Sequence, residues 1–154
     1  MAEAMQSGAI EPTTPDERTF ALLAHMLQIM LCWIAPLAIF LIKRQSKFVS
    51  FHALQALLLQ VACMVLSLAG VILWFGVFFM AIALAPATRN APPPPEFFVL
   101  MLMLWLCWMG MWIIIMLAAI IYGIKAGRGE WAEYPFFGQL SLRILKLGPG
   151  GVPA

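Results

Sequence analysis

The stretch FHALQALLLQVACMVLSLAGVILWFGVFFMAIALA, residues 51–85, runs for 35 residues without an Asp, Glu, Lys or Arg. Two further runs of the same kind flank it, at residues 20–42 and 97–124. An apolar run of about 18 residues or more is long enough to cross the ~30 Å hydrocarbon core of a bilayer as a helix. The sequence therefore predicts an all-α integral membrane protein with three transmembrane helices.

The overall composition excludes a soluble globular protein. Hydrophobic residues make up 64% of the chain and charged residues 10%, and the mean hydropathy is +0.95. A water-facing surface would need far more charge than this. The formal net charge of +2 is also too small to indicate nucleic-acid binding. Cys32, Cys63 and Cys107 all lie within apolar runs, which favours small buried side chains rather than metal ligands.

The long central run poses a problem of length. As one straight helix, residues 51–85 would extend ~52 Å at 1.5 Å per residue, and the usual tilt of up to about 40° does not absorb the excess. The run must bend, break, or extend into an interface. Its first part, residues 48–60, mixes polar with apolar side chains, so we predict an entry segment at the lipid headgroups and a crossing from about Gln60 to Ala85.

The remaining boundaries follow from the distribution of apolar and turn-forming residues. The pattern predicts a single transmembrane domain at 17–147, with an irregular tail at 1–16 and a disordered tail at 148–154. Within the domain we expect helices at about 17–42, 51–85 and 97–124, and a C-terminal amphipathic surface helix at about 136–147. Pro36 is expected to bend the end of the first helix.

The basic residues indicate an orientation. With three crossings, seven bases lie on one side and two on the other: Lys43, Arg44, Lys47, Lys125, Arg128, Arg143 and Lys146 against Arg18 and Arg89. The positive-inside rule then places the N-terminus outside and the C-terminus in the cytoplasm of a bacterial inner membrane. A fourth crossing, made by dividing the central run, would split the bases five against four. The acidic start of the chain is unlike a secretory signal, so the first helix is predicted to remain as an anchor.

Several short patterns occur together in a specific order. They are Glu17 to Ala21 followed by Ala24 and His25, then Phe48 and Val49 before Phe51 to Leu57, and finally Ala126 to Glu130 with Tyr134 and Pro135. In this order they resemble a bacterial membrane family of unassigned function that is grouped with the Tic-type import channel of the chloroplast inner envelope. The resemblance covers about residues 17–138. It implies a small multi-helix membrane protein that handles polypeptides at the membrane.

Polar side chains are few within the apolar runs, and two pairs share the spacing i, i+3. His25 and Gln28 lie on one face of the first predicted helix, and His52 and Gln55 on one face of the second. Such groups mark ligand or proton-relay sites in some membrane proteins, but hydrogen bonds between helices explain them more simply. With three crossings, the two histidines are expected near opposite membrane faces, which argues against a shared metal or haem.

The same topology brings the end of the third helix to the side that carries His52. We therefore predict an interfacial polar cluster that fixes how two helix ends dock, rather than a catalytic, cofactor or metal site. Its predicted members are His25, Gln28, His52, Gln55, Arg128, Glu130 and Tyr134.

A second feature is a stripe of large side chains along the third predicted helix. Trp105, Trp108 and Trp112 follow one another at i, i+3 and i+7, and Met101 lies on the same side. Packing inside the protein is one explanation. A face for a partner subunit and a pocket for a quinone, pigment or lipid are the others.

These features favour a non-enzymatic protein, because the three apolar runs contain no carboxylate to serve as an intramembrane acid or base. The preferred hypothesis is an accessory or scaffold subunit of a larger membrane complex, without a cofactor. Its partners would be the lipid bilayer and other membrane subunits or further copies of the chain. The alternative, taken from the resemblance, is a Tic-type pore or translocation component.

Overall fold

The computed structural model describes residues 12–84 and 94–148, and the regular structure of these residues is helical. The predicted all-α class is confirmed. The predicted irregular and disordered tails lie largely outside the described residues. The helices are α1 (Pro15–Leu31), α2 (Ile34–Ile42), α3 (Lys47–Leu84), α4 (Pro95–Gly127) and α5 (Phe137–Leu145).

The single helix predicted over residues 17–42 is wrong. The backbone leaves the helical region at Cys32, where φ is +50°, and α2 turns back along α1. The ends of the hairpin meet, because Lys43 Nζ lies 2.6 Å from Asp16 Oδ2. Pro36 lies in the first turn of α2, where its missing N–H leaves no helical hydrogen bond unmade. It therefore belongs to the start of a new helix instead of bending an old one.

The start of α1 is fixed by a capping box. Thr14 Oγ1 accepts a hydrogen bond from the backbone N–H of Glu17, and the Glu17 carboxylate accepts one from the backbone N–H of Thr14. The same carboxylate accepts a hydrogen bond of 2.7 Å from Ser46 Oγ. Glu17 thus joins the start of α1 to the segment that leads into α3.

These hydrogen bonds predict a pH dependence of stability. Those from Ser46 and from the Thr14 backbone hold the pKa of Glu17 below its usual value of 4.5. Because the folded pKa is depressed, the stabilisation is fully present above about pH 4.5 and is lost as the pH falls through the lower folded pKa. We expect Glu17→Gln to lower the thermal midpoint at pH 7 and to have a smaller effect at pH 3, measured by circular dichroism in detergent. An equal loss at both pH values would contradict this assignment.

Helix α3 resolves the length problem without a break. Its first part is enclosed by protein, since Phe51, Ala53 and Ala56 are fully buried, whereas most large side chains beyond Val61 are exposed. The predicted entry segment at 48–60 is therefore packed inside a folded unit, and its position at the lipid headgroups stays a prediction. The excess length of the helix is used for packing.

The chain divides into two compact units. One, here called the polar-core unit, comprises residues up to Val61 together with those from Met116 onward, and the other, the two-helix unit, spans Ala62–Ile115. Helices α3 and α4 contain the two candidate membrane spans of the described residues, Lys47–Ala83 and Pro95–Gly127. The structure thus shows two long apolar helices, and the third predicted span is the α1–α2 hairpin.

Small residues allow α1 and α4 to approach closely within the polar-core unit. A Cβ on Gly123 would meet the Met26 methyl group and lie 3.2 Å from His25 Cβ, and one on Gly127 would lie 3.7 Å from Leu22 Cβ. Ala119 precedes Gly123 by one turn and is fully buried. This spacing of small residues is the usual means by which membrane-protein helices pack tightly. It brings His25 against the end of α4.

Candidate functional site

A chain of hydrogen bonds runs through the centre of the polar-core unit. His25 Nε2 lies 3.2 Å from His52 Nδ1, and His25 Nδ1 lies 3.0 Å from Tyr134 Oη. Both histidines are fully buried and Tyr134 is 3% exposed. The predicted separation of the two histidines to opposite membrane faces is therefore wrong. That prediction assumed that one helix over residues 17–42 spans the membrane, whereas α1 and α2 form a hairpin.

When both histidines are neutral, the backbone carbonyl of Glu130 fixes the direction of each hydrogen bond in this series. The Glu130 backbone carbonyl only accepts, so His52 Nε2, at 3.1 Å, must donate to it. His52 Nδ1 then accepts from His25 Nε2–H, and His25 Nδ1 accepts from the Tyr134 hydroxyl. We call this series, from Tyr134 through the two histidines to the Glu130 carbonyl, the histidine relay.

Helix α3 also holds the segment after α4 through an amide. Gln55 Oε1 accepts a hydrogen bond of 2.7 Å from the Tyr134 backbone N–H, and Gln55 Nε2 donates to the Ala132 carbonyl at 3.3 Å. A side-chain amide that both donates to and accepts from a non-helical segment replaces the backbone pairing that the segment lacks. Gln55 thereby positions Tyr134 for the histidine relay.

Two of the predicted cluster members contribute less than expected. Arg128 is exposed, and the Glu130 side chain is exposed as well, so Glu130 takes part through its backbone carbonyl. Gln28 lies beside the relay, with Nε2 3.4 Å from Tyr134 Oη. The structure thus brings together five of the named side chains: His25, Gln28, His52, Gln55 and Tyr134.

Two contributors were missed as members of this cluster. Gln60 Nε2 donates to the Gln28 backbone carbonyl at 3.1 Å, and its side chain is 2% exposed. Trp131 packs between Phe48 and Phe51, with ring centroids 5.2 Å from each. Gln60 is a polar residue within a long apolar run, and that isolation is the signal that could have included it. No local pattern indicated that Trp131 would enter the core.

The turn after α4 directs this segment into the core. Gly129 has φ +84°, and the Glu130 N–H donates to the Lys125 carbonyl while the Gly129 N–H donates to that of Ala126. These two hydrogen bonds form a Schellman motif, which ends a helix through a left-handed residue. A Cβ at Gly129 would also lie 2.6 Å from Thr13 Oγ1.

The arrangement suits positioning more than chemistry. The hydrogen-bonded groups are neutral amides, imidazoles, a phenol and backbone carbonyls, and no carboxylate enters the set among the described contacts. Within residues 12–84 and 94–148, His, Cys, Asp and Glu do not gather into a group of three that could hold a metal ion. Gln28 Oε1 is buried without a hydrogen-bond partner in the described part of the chain.

The predicted tryptophan stripe lies in the two-helix unit and is partly open. Trp105 is 48% exposed, Trp108 is 39% exposed and Met101 is buried. Trp105 and Trp108 line an apolar groove of about 190 Å³. The other lining residues are Gly70, Val71, Trp74, Phe75 and Leu104. Trp112 Nε1 is buried without a hydrogen-bond partner in the described residues.

Comparison with known proteins corrects the resemblance drawn from the sequence. The sequence profile of the magnetosome magnetite crystal formation protein family, MamF/MmsF, matches residues 16–142. The assignment to a Tic-type family is therefore wrong, and the pore or translocation function that it implied has no support. Comparisons with curated proteins and with solved structures each gave no significant match. Because the profile spans most of its length, the chain belongs to the MamF/MmsF family of magnetosome proteins involved in magnetite crystal formation.

Proposed function

We propose that this chain is a non-enzymatic accessory or scaffold subunit of a membrane complex that takes part in magnetite crystal formation at the magnetosome. The observation that carries the proposal is the family match over residues 16–142, combined with two long apolar helices. The histidine relay supports a structural role, because each of its members is used to hold the segment 128–136 against α1 and α3.

We further propose two membrane crossings in place of three. In the two-helix unit, residues 62–84 of α3 and 95–115 of α4 extend ~35 Å and ~32 Å at 1.5 Å per residue, close to the ~30 Å hydrocarbon core. Their large side chains are mostly exposed, as lipid contact requires. Residues 12–61 and 116–148 then lie on the same side of the membrane.

The basic residues support this placement. Of the nine Lys and Arg residues, only Arg89 lies in the connector between the two crossings, so the division is eight against one. With three crossings the division is seven against two. The positive-inside rule therefore favours a cytoplasmic polar-core unit, with an N-terminus on the cytoplasmic side instead of outside. Helix α5 suits the membrane surface, since it exposes Leu140 and Ile144 while burying Leu142.

The groove beside Trp105 and Trp108 is the proposed contact for a second subunit. Exposed tryptophan rings contribute much of the contact energy at protein interfaces, and they lie here on a helix with few polar groups to specify another ligand. An oligomer of this chain or a different membrane subunit would satisfy the proposal equally. The single domain predicted over residues 17–147 and the absence of catalysis stay predictions.

A genetic replacement tests this function. In a magnetosome-forming bacterium that lacks its own copy, we expect the double variant Trp105→Ala, Trp108→Ala to reach the magnetosome membrane but to shift the size distribution of the magnetite crystals, measured by electron microscopy. The matched control is Phe98→Ala, Leu102→Ala, which also removes two exposed apolar side chains from α4. Normal crystals from cells that lack the protein would overturn the function. Normal crystals from the tryptophan variant alone would overturn only the contact face.

A further inference from the structure

The tip of the α1–α2 hairpin is apolar and exposed. Met30 is 82% exposed, Ile34 is 57% exposed and Leu31 is 50% exposed, and Trp33 lies between them at 39%. The hairpin contains no charged residue between Phe20 and Ile42. Four large apolar side chains clustered at a reversal of the chain would be costly to leave in water, at about 25 cal/mol for each Å² of exposed apolar area.

The direction of the hairpin is fixed by its contacts with α3. Glu17, at the start of α1, pairs with Ser46 just before α3, and the Gln28 carbonyl near the end of α1 pairs with Gln60. Helix α1 therefore runs parallel to the first part of α3. From Gln28 to the tip, α1 therefore runs in the same direction as α3 does from Gln60 to Val61. Val61 is 48% exposed and begins the apolar part of α3.

The opposite end of the hairpin is charged. Lys43 pairs with Asp16, and Arg44 and Lys47 follow with exposed side chains. With the tip at the membrane, the charged base lies on the water side, so only the uncharged end of the hairpin has to enter lipid. Trp33 at the tip is of the residue type that anchors protein segments at the membrane boundary.

We propose that helices α1 and α2 form a re-entrant hairpin whose tip, residues 29–34, inserts into the lipid of the membrane leaflet on the side of the polar-core unit and returns without crossing. The partner of this surface is lipid. The inference rests on the two-crossing placement, and it adds a third membrane contact that does not alter the side on which the N-terminus lies. Close to the tip, the Gln28 backbone carbonyl accepts a buried hydrogen bond from Gln60 of α3, which ties the end of α1 to α3.

The native cysteines make the hairpin directly testable. Cys32 is exposed at the tip and Cys107 is exposed in α4, whereas Cys63 is buried. The full chain carrying Cys63→Ala and Cys107→Ala keeps Cys32 alone and is reconstituted in vesicles of phosphatidylglycerol and phosphatidylethanolamine. A nitroxide spin label is then attached to Cys32. Its collision rate with oxygen, which partitions into lipid, is compared with its collision rate with a water-soluble nickel chelate.

Two controls calibrate the measurement. A variant that keeps only Cys107 reports lipid exposure, and a cysteine-free background with Gln45→Cys reports water exposure, since Gln45 is exposed in the basic turn. We expect Cys32 to resemble Cys107, with oxygen collisions exceeding nickel collisions and the ratio reversed at Gln45→Cys. A water-like ratio at Cys32 would overturn the insertion, and so would a site shielded from both reagents, which would mean a protein contact.

The placement of the N-terminus is tested separately with a membrane-impermeant maleimide. Pro12→Cys and Gln45→Cys, each in the cysteine-free background, are expected to react from the same side of intact vesicles. Reaction from opposite sides would overturn both the two-crossing placement and the hairpin. Reaction from the same side with a water-like Cys32 would preserve the placement and overturn only the insertion, so the two failures are distinguishable.

Discussion

Gly138→Ala is expected to destabilise the polar-core unit by about 2 to 4 kcal/mol, combining the cost of overpacking with that of a weakened buried hydrogen bond. A Cβ at position 138 would meet the Glu133 Cβ, and would lie 2.8 Å from the Glu133 Cα and 3.1 Å from Gln55 Oε1. A backbone atom cannot move aside as a side-chain end can. The first turn of α5 must therefore shift and disturb the hydrogen bond between Gln55 and the Tyr134 N–H.

The chain offers a matched control for this substitution. Gly76 and Gly110 lie within α3 and α4, and a methyl group added at either position would find open space, with nothing within 4 Å. Alanine there is expected to be neutral or to stabilise by up to about 1 kcal/mol, because alanine favours the helix more than glycine does. The measurement is the fraction of protein that remains folded in gel filtration after heating in detergent. A Gly138→Ala variant as stable as Gly110→Ala would contradict the close packing of α5.

The second large effect is expected from His52→Leu, at about 2 to 5 kcal/mol. The substitution leaves the buried His25 Nε2–H without a partner, which costs about 1 to 3 kcal/mol, and it also removes the donor from the partly buried Glu130 carbonyl, which costs less. His52→Gln is expected to recover part of the loss, because the amide can accept from His25 and donate to the Glu130 carbonyl. Exposed Gln139→Leu serves as the control for adding an apolar side chain.

The histidine relay also predicts coupling between its ends. Tyr134→Phe removes the hydroxyl that donates to His25, and a cycle with His52→Leu measures whether the losses add. Because His25 joins the two sites through one ring, we expect the double variant to lose less stability than the sum of the single variants. Strict additivity, measured by thermal unfolding in detergent, would contradict a connected chain of hydrogen bonds.

Particular residues show which parts of the site could be predicted from local sequence patterns. The i, i+3 pairs of His and Gln were identified because polar groups are conspicuous in apolar runs, and the structure buries all four. Their partners were harder to predict, since the Glu130 and Ala132 carbonyls carry no side-chain signal. The reversal at Cys32 was missed because it occurs within an unbroken apolar run, with neither glycine nor proline at the turn. Pro36, four residues later, suggested only a bend.

The sequence by itself determined that the long apolar runs belong in lipid and that the protein is helical. Uncharged runs of this length must satisfy their backbone groups internally once they are in lipid. The sequence could not determine that the first of these runs folds back on itself, because hydropathy measures preference for lipid and contains no term for the direction of the chain. That reversal depends on contacts between residues far apart in sequence, among them Lys43 with Asp16 and Gln60 with Gln28. Tertiary structure also decided that the two histidines meet, since only the folded hairpin brings α1 alongside α3.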